Sequence, residues 1–406
     1  MGGSELNDGA RDVRLTRVLI CLMFLTFAMT SDAVGGIIPV IIAEYGLSMK
    51  AAGAFHYIPM TAMACGALLL GFLSDRLGRR YTIVLGLALY ALGSALFAVG
   101  HSFGFFVVLL AISGLGISIF KIGGLALVGD VSASTLAHTR MMNTAEGFFA
   151  IGSIIGPAVM ALLLSAGWSW KWLYVLASII CVALLAIAAS IRYPNPHPQH
   201  TQTPGLKNTF RLLRDPFLLG FSALIMLYVA VEVAVYVWMP TYLSSYRGPH
   251  AWLPVYGLTL FFVLRALGRF LAVWLLARLS WTAVLALCSA AILACFALSV
   301  LSGVETGAWL LPLSGLFMAT VYPTLNSKGI SGFDRAAHGT AAGIILFFTA
   351  IAAAVGPLAM AAVSDAYAST RAGFILATGF ALLLCAGLVW NWWAQPARRR
   401  LEATAA

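Results

Sequence analysis

Twelve apolar runs, near residues 16–43, 52–74, 81–100, 104–129, 141–165, 172–192, 215–243, 253–277, 281–301, 307–328, 338–364 and 371–394, divide almost the whole chain among themselves. Each holds about twenty residues or more, the length at which an α-helix crosses the hydrocarbon core of a bilayer. Only 9% of the 406 residues are charged, against about 25% in soluble domains. Backbone polar groups inside a bilayer must be satisfied within the segment, so runs of this kind fold as helices. The expectation is an all-α membrane protein of twelve transmembrane helices.

The basic residues report the orientation. With the N-terminus inside, most Lys and Arg residues fall on the cytoplasmic side. Lys50, Lys171, Arg247 and Arg371 fall outside, and Lys121, Arg265 and Arg269 within the membrane. By the positive-inside rule both termini are cytoplasmic and the protein is multi-pass in the cell inner (plasma) membrane. This distribution accounts for the pI near 9.5 without a nucleic-acid partner, because no basic face of a soluble module is present. Residues 1–13 are polar without a cleavable signal pattern, and the first run is too long for a signal peptide, so it is expected to remain as a helix. The six cysteines all lie in apolar runs with no C-x-x-C spacing and no clustering with histidine, which implies no metal, no disulfide framework and no cofactor.

The only long polar connection, 193–214, contains Pro194, Pro196, Pro198 and Pro204 and resists helix formation. It separates an N-terminal six-helix half, 1–192, from a C-terminal half, 215–406. The halves repeat. Pro39 matches Pro240 at an offset of 201, Ser113-Gly114-Leu115 matches Ser314-Gly315-Leu316 at 201, and Gly156-Pro157 matches Gly356-Pro357 at 200. Three landmarks at nearly one offset argue for two pseudo-symmetric halves of the kind transporters are built from.

The densest cluster of charge is Gly71-Phe72-Leu73-Ser74-Asp75-Arg76-Leu77-Gly78-Arg79-Arg80, a tight turn between the second and third runs. Asp75 stands at the C-terminal end of a helix, where the macrodipole disfavours an anion. It is expected to reach the N-terminus of another helix near 338–340, while Arg79 or Arg80 reaches Asp130, so that the four residues form a gating latch.

Six ionisable residues remain at membrane depth, where each costs about 2.5–3.5 kcal/mol on insertion scales and so faces a cavity or a partner. Three are acids, Asp32, Glu146 and Glu232, and three are bases, Lys121, Arg265 and Arg269. Asp32 and Glu232 precede Pro39 and Pro240 by seven and eight residues, near the middle of their runs. A carboxyl group in low-dielectric surroundings can take and release a proton as access alternates, so Asp32 and Glu232 are expected to couple protons, or else to form static ion pairs. Lys121 is expected either to bind an anionic or hydroxyl-rich substrate, which Glu146 then releases, or only to pair with Glu146. Arg265 and Arg269 share a helix face. Arg265, the deeper, suits a carboxylate clamp; Arg269 suits a structural role. Tyr57, Tyr236, Trp238, Tyr322 and Asn326 are the aromatic and polar cavity candidates, Tyr322 standing at the repeat equivalent of Lys121. His56 is expected to be a packed neutral histidine.

The G-x-x-x-D-R-x-G-R-R pattern resembles the loop signature of the major facilitator superfamily. Several stretches look more narrowly like its fucose, galactose and glucose proton symporter branch. These are Gly114-Leu115-Gly116, Gly147-Phe148-Phe149-Ala150-Ile151-Gly152 through Gly156-Pro157, Gly167-Trp168-Ser169-Trp170-Lys171-Trp172, Glu232 with Trp238 and Tyr242, and Phe317-Met318 through Tyr322-Pro323-Thr324. The resemblance implies alternating access by rocking of two halves, with the first, fourth, seventh and tenth helices lining the site. One departure stands out: where the branch tends to carry a carboxylate followed by Asn in its fourth helix, this chain has Lys121 and then Gly124-Leu125.

The expected function is a proton-coupled secondary transporter of a small polar organic solute, more specifically an organic anion. The substrate set is Lys121, Arg265, Tyr236, Tyr322, Asn326 and Trp238, and the proton set Asp32, Glu232 and Glu146. A neutral sugar proton symporter and a drug or metabolite proton antiporter are the alternatives. An enzyme is not expected, because the chain has no H-E-x-x-H, no G-x-S-x-G and no nucleotide-binding loop. The expected partners are the substrate, protons and the bilayer, with the chain acting as a monomer.

Overall fold

The computed structural model describes residues 3–70, 77–130, 135–191, 193, 212–333 and 338–405. Within them the chain is helical throughout and forms two compact units, one of Met1–Val40 with Ala54–His200 and one of Ile41–Gly53 with Thr201–Ala406. Among the described residues eleven helices are long and apolar enough to cross a membrane. The twelfth expected span corresponds to Ala54–Leu70, whose 17 described residues end inside the apolar run 52–74.

In the first unit the elements are α1 (Gly3–Ser31), α2 (Val34–Tyr45), which begins there and ends in the second unit, α4 (Ala54–Leu70), α5 (Gly78–Ala95), α6 (Phe103–Asp130), α7 (Thr135–Ser165) and α8 (Lys171–Ser190); the short α3 (Met49–Ala52) belongs to the second unit. The expected first helix is thus broken at Asp32 and Ala33, where the Gly36 N–H turns to the Ala33 carbonyl instead of continuing the α pattern. Close backbone approach holds the unit together, as it must where lipid offers no hydrophobic drive between helices. A Cβ at Gly114 would meet the Pro59 carbonyl oxygen of α4, and one at Gly156 would meet the Met29 backbone of α1. Trp170, 1% exposed, is an aromatic hub with ring centroids 5.0 Å from Phe106 and 5.4 Å from Phe55.

The second unit contains α9 (Pro216–Val233), a π-helical turn (Ala234–Trp238), α10 (Met239–Leu243), α11 (Trp252–Leu276), α12 (Trp281–Ser302), α13 (Val304–Met318), α14 (Val321–Ser331), α15 (His338–Ala366), α16 (Thr370–Ala394) and α17 (Arg398–Ala405). Two expected helices are again interrupted, and prolines explain both. A proline ring removes an N–H and crowds the carbonyl four residues back. For Pro240 that carbonyl is Tyr236, inside the π turn, and for Pro323 it is Ala319, at the α13–α14 break. Asp215 caps α9, accepting from the Phe217 and Leu218 N–H groups. The short terminal helix α17 was not expected from the charged tail; an Arg398–Glu402 pair at 2.8 Å one turn apart supports it.

The sequence repeat has a physical counterpart in each unit. Gly315 packs on the Phe261 carbonyl as Gly114 packs on Pro59, and Gly356 packs on Ala230 as Gly156 packs on Met29. The Lys171 ammonium donates to the Gly100 carbonyl at 2.8 Å, and the Arg371 guanidinium to the Val300 carbonyl at 3.0 Å, each at the C-terminal end of a helix. Cations are favoured there by the macrodipole. Two of the four basic residues expected outside are therefore occupied in closing helix ends, and Arg247 likewise donates to the Ser244 and Tyr246 carbonyls.

Candidate functional site

In the first unit the carboxylate of Asp32 sits at the break between α1 and α2 and is 9% exposed. It accepts a hydrogen bond from Ser153 of α7 at 2.5 Å and one from Ser31 at 3.1 Å. The break places Asp32 between two helical segments, and the small Gly152 and Gly156 let α7 come close enough for Ser153 to reach it. Lys121 of α6 is half-buried, with its ammonium 4.9 Å from the Phe27 ring centroid and 5.6 Å from that of Phe24. Such contacts favour a cation over an aromatic face. No described residue forms an ion pair or hydrogen bond with Lys121. Glu146 itself is exposed. Of the two roles expected for Lys121, the direct bridge to Glu146 is not formed: the ammonium lies against the two phenyl rings.

In the second unit Glu232 is 7% exposed on α9, and its Oε1 lies 2.5 Å from the Arg265 guanidinium of α11. The Tyr228 hydroxyl stands 2.8 Å from the same oxygen and 2.9 Å from the Met318 carbonyl, at the point where α13 ends. The Tyr228 and Tyr322 rings follow at 6.4 Å. A buried carboxylate, a guanidinium, a phenol and a loosened helix end thus meet in one place. The sequence offers Glu232 for proton coupling or a static ion pair and Arg265 for substrate; α9 and α11 bring the two together as one ion pair.

Trp238 is corrected. It is fully buried and donates its indole N–H to the Pro357 carbonyl at 3.1 Å, so it packs α15 against the π turn instead of facing a cavity. Tyr236 is half-buried with its ring 6.2 Å from Phe262, Tyr322 and Asn326 are half-buried, and Arg269 is exposed. Of the latch, Asp75 and the side chain of Asp130 lie outside the described residues. Arg80 donates to the Ala189 carbonyl at the end of α8 at 2.8 Å. Arg79 lies in the first turn of α5. The π turn beside Glu232 was missed in the sequence, although such turns often accompany functional residues; Pro240 is the signal that could have exposed it.

Helical units with breaks beside buried charge are one observation, and a family model supplies the other. The model of the Major Facilitator Superfamily matches residues 20–357. The chain belongs to the major facilitator superfamily. Among curated proteins, this superfamily member is 30% identical over 179 residues to the vesicular acetylcholine transporter unc-17 of Caenorhabditis elegans, covering 42% of this chain and 33% of that one. It is 23% identical over 237 residues to protein TsgA of Salmonella typhimurium, covering 55% and 57%. It is 26% identical over 205 residues to the chloramphenicol resistance protein CraA of Acinetobacter baumannii, covering 50% and 48%. The chain therefore spans between a third and about three-fifths of these relatives' lengths. Among solved structures it shares the fold of a bacterial homologue of the human lysosomal transporter Spinster, with a TM-score of 0.77 at 12% identity over 98% of both chains. The superfamily fold is shared also with the fucose:proton symporter FucP, with a TM-score of 0.61 at 22% identity over 94% of this chain and 99% of that one.

Proposed function

We propose that this superfamily member is a proton-coupled secondary active transporter of a small organic anion, working by alternating access. The observation that carries the reading is Lys121, a half-buried cation that no described residue pairs, held on Phe24 and Phe27. At an effective dielectric near 20 a cation and an anion about 4 Å apart attract by about 4 kcal/mol before desolvation is subtracted. An anionic solute would supply the missing partner. Asp32 is the coupling carboxylate in this reading. Protonation there would change what Ser153 and Ser31 hold, and with it the junction of α1 and α2. Glu146 assists release, and Tyr236, Tyr322 and Asn326 are the polar candidates that the second unit offers. Arg265 contributes only when Glu232 is protonated, because the ion pair occupies its fork.

The same proposal includes twelve spans in two halves, 1–192 and 215–406, joined by a cytoplasmic linker at 193–214. The protein acts as a monomer in the inner membrane with both termini inside. Asp75, Arg79, Arg80 and Asp130 form a cytoplasmic latch, so Asp75→Asn lowers transport while leaving expression intact.

A drug antiporter is the second reading, supported by the stretch shared with the chloramphenicol resistance protein. Thermal stabilisation of the purified protein across a library of organic anions, sugars and chloramphenicol separates the two readings, since a ligand that binds the native state raises the melting temperature. The proposal expects stabilisation by an anion and its loss in Lys121→Ala; stabilisation by uncharged solutes alone, equal in Lys121→Ala, would reject it.

A further inference from the structure

A polar cavity lies at one end of the second unit, apart from the residues above. It encloses about 290 Å³ between the start of α12 (Ser280, Trp281, Thr282), Lys328 of α14, Asn391 and Gln395 at the end of α16, and one face of α17. Arg400 anchors α17 from the opposite face. Its guanidinium bonds both carboxylate oxygens of Asp215 at 2.9 Å, donates to the Gly332 carbonyl, and lies over the Phe217 and Phe333 rings at 4.7 and 4.4 Å. The wall that α17 presents to the cavity is therefore fixed.

The cavity is lined by the Lys328 ammonium, the amides of Asn391 and Gln395, and the hydroxyls of Ser280 and Thr282. Asn391 is 6% exposed and its Nδ2 has no hydrogen-bond partner among the described residues. An unsatisfied buried amide costs about 1–3 kcal/mol, so something is expected to accept from it. Ser280 caps α12 by accepting from the Ala283 N–H at 3.3 Å, and the cavity lies at the positive end of this 22-residue helix. Lys328 forms no ion pair with a described residue; its ammonium lies 5.8 Å from the Trp281 ring. The one carboxylate on the rim, Glu402, is neutralised by Arg398 at 2.8 Å. The Ser280 and Thr282 hydroxyls, 3.2 Å apart, complete the lining. An ammonium, the positive end of a helix and an unpartnered amide N–H₂ bordering one space suit a phosphate group.

We propose that this cavity binds the phosphate group of an anionic phospholipid. The exposed tryptophans Trp390, Trp392 and Trp393 on the last turns of α16, at 56, 50 and 82% exposure, set the cavity at the level of an interfacial aromatic belt, where lipid phosphates lie. The lipid would then tie α12, α14, α16 and α17 together at the membrane surface. This site is independent of the transported solute.

The test uses the full-length protein in neutral detergent and follows its melting temperature while phosphatidylglycerol, phosphatidylcholine or inorganic phosphate is added. Phosphatidylglycerol is expected to raise the melting temperature and phosphatidylcholine not to. Lys328→Gln should weaken the phosphatidylglycerol effect about fivefold in the concentration needed, and Asn391→Leu, which removes the amide donor while keeping the volume, should weaken it as well. Arg247→Gln, at a cation outside the cavity, should respond as the wild type does. Stabilisation by inorganic phosphate with the same Lys328 dependence, and none by phosphatidylglycerol, would overturn the lipid assignment in favour of a soluble phosphate ester. Equal responses of wild type, Lys328→Gln and Asn391→Leu to every additive would overturn the site altogether.

Discussion

The Arg265 guanidinium and the Glu232 carboxylate meet at 2.5 Å, joining α11 to α9 at the point where the Tyr228 hydroxyl touches both that carboxylate and the end of α13. Removing one partner leaves the other desolvated without compensation. For a fully buried pair that costs about 3–5 kcal/mol. With 27% of the Arg265 side chain exposed, about 2 kcal/mol is expected for Arg265→Gln after solvent screening. The double variant Glu232→Gln with Arg265→Gln should recover most of it. Denaturation of the purified single and double variants measures the coupling, and purely additive losses would show that the pair does not stabilise the unit.

Lys121 and Arg269 differ in surroundings, one half-buried on two phenyl rings and the other exposed. Lys121→Ala should raise the dissociation constant of the anionic solute by about 10- to 100-fold, the value of a hydrogen bond to a charged group, while Arg269→Ala changes it little. Glu146→Gln should alter release more than affinity. Equilibrium binding and washout of labelled solute check both statements.

Asp365, in the last turn of α15, accepts from the Met49 and Lys50 N–H groups at 2.8 and 2.9 Å and so supplements the Ser48 cap of the short helix α3. That tie explains why residues 41–53 cluster with the second unit. Asp365→Ala should cost about 1 kcal/mol, as other N-cap losses do, and should speed hydrogen exchange at Met49 and Lys50 without affecting the amides of α12. Unchanged exchange there would mean that the cap contributes nothing in solution.

Much of this architecture is legible in the sequence, since a run of about twenty apolar residues has few alternatives to a membrane helix. The glycine and proline landmarks of the repeat reappear as equivalent close approaches, Gly114 on Pro59 and Gly315 on Phe261. What is not legible is local or relational. Composition shows no interruption in the helix that Asp32 breaks, and Pro240 and Pro323 mark the carbonyl that is lost without saying whether a π turn or a full break follows. Depth along a helix names Glu232 and Arg265 as candidates, but rotation about two helix axes decides that they pair. Trp238 reads as a cavity aromatic by type and position, and only the Pro357 carbonyl beside its indole shows it to be packing. The outer cations Lys171 and Arg371 read as exceptions to a charge rule until the helix ends they close are seen.

Coupling through Asp32 is the central claim, and proton movement measured alongside solute movement tests it most directly. In proteoliposomes carrying an internal pH dye, adding the anionic solute to wild-type protein should shift the internal pH and support accumulation against a gradient. Asp32→Asn should abolish the pH signal and the accumulation while retaining exchange of labelled for unlabelled solute. An Asp32→Asn protein that still moves protons with solute and still concentrates it would contradict the account.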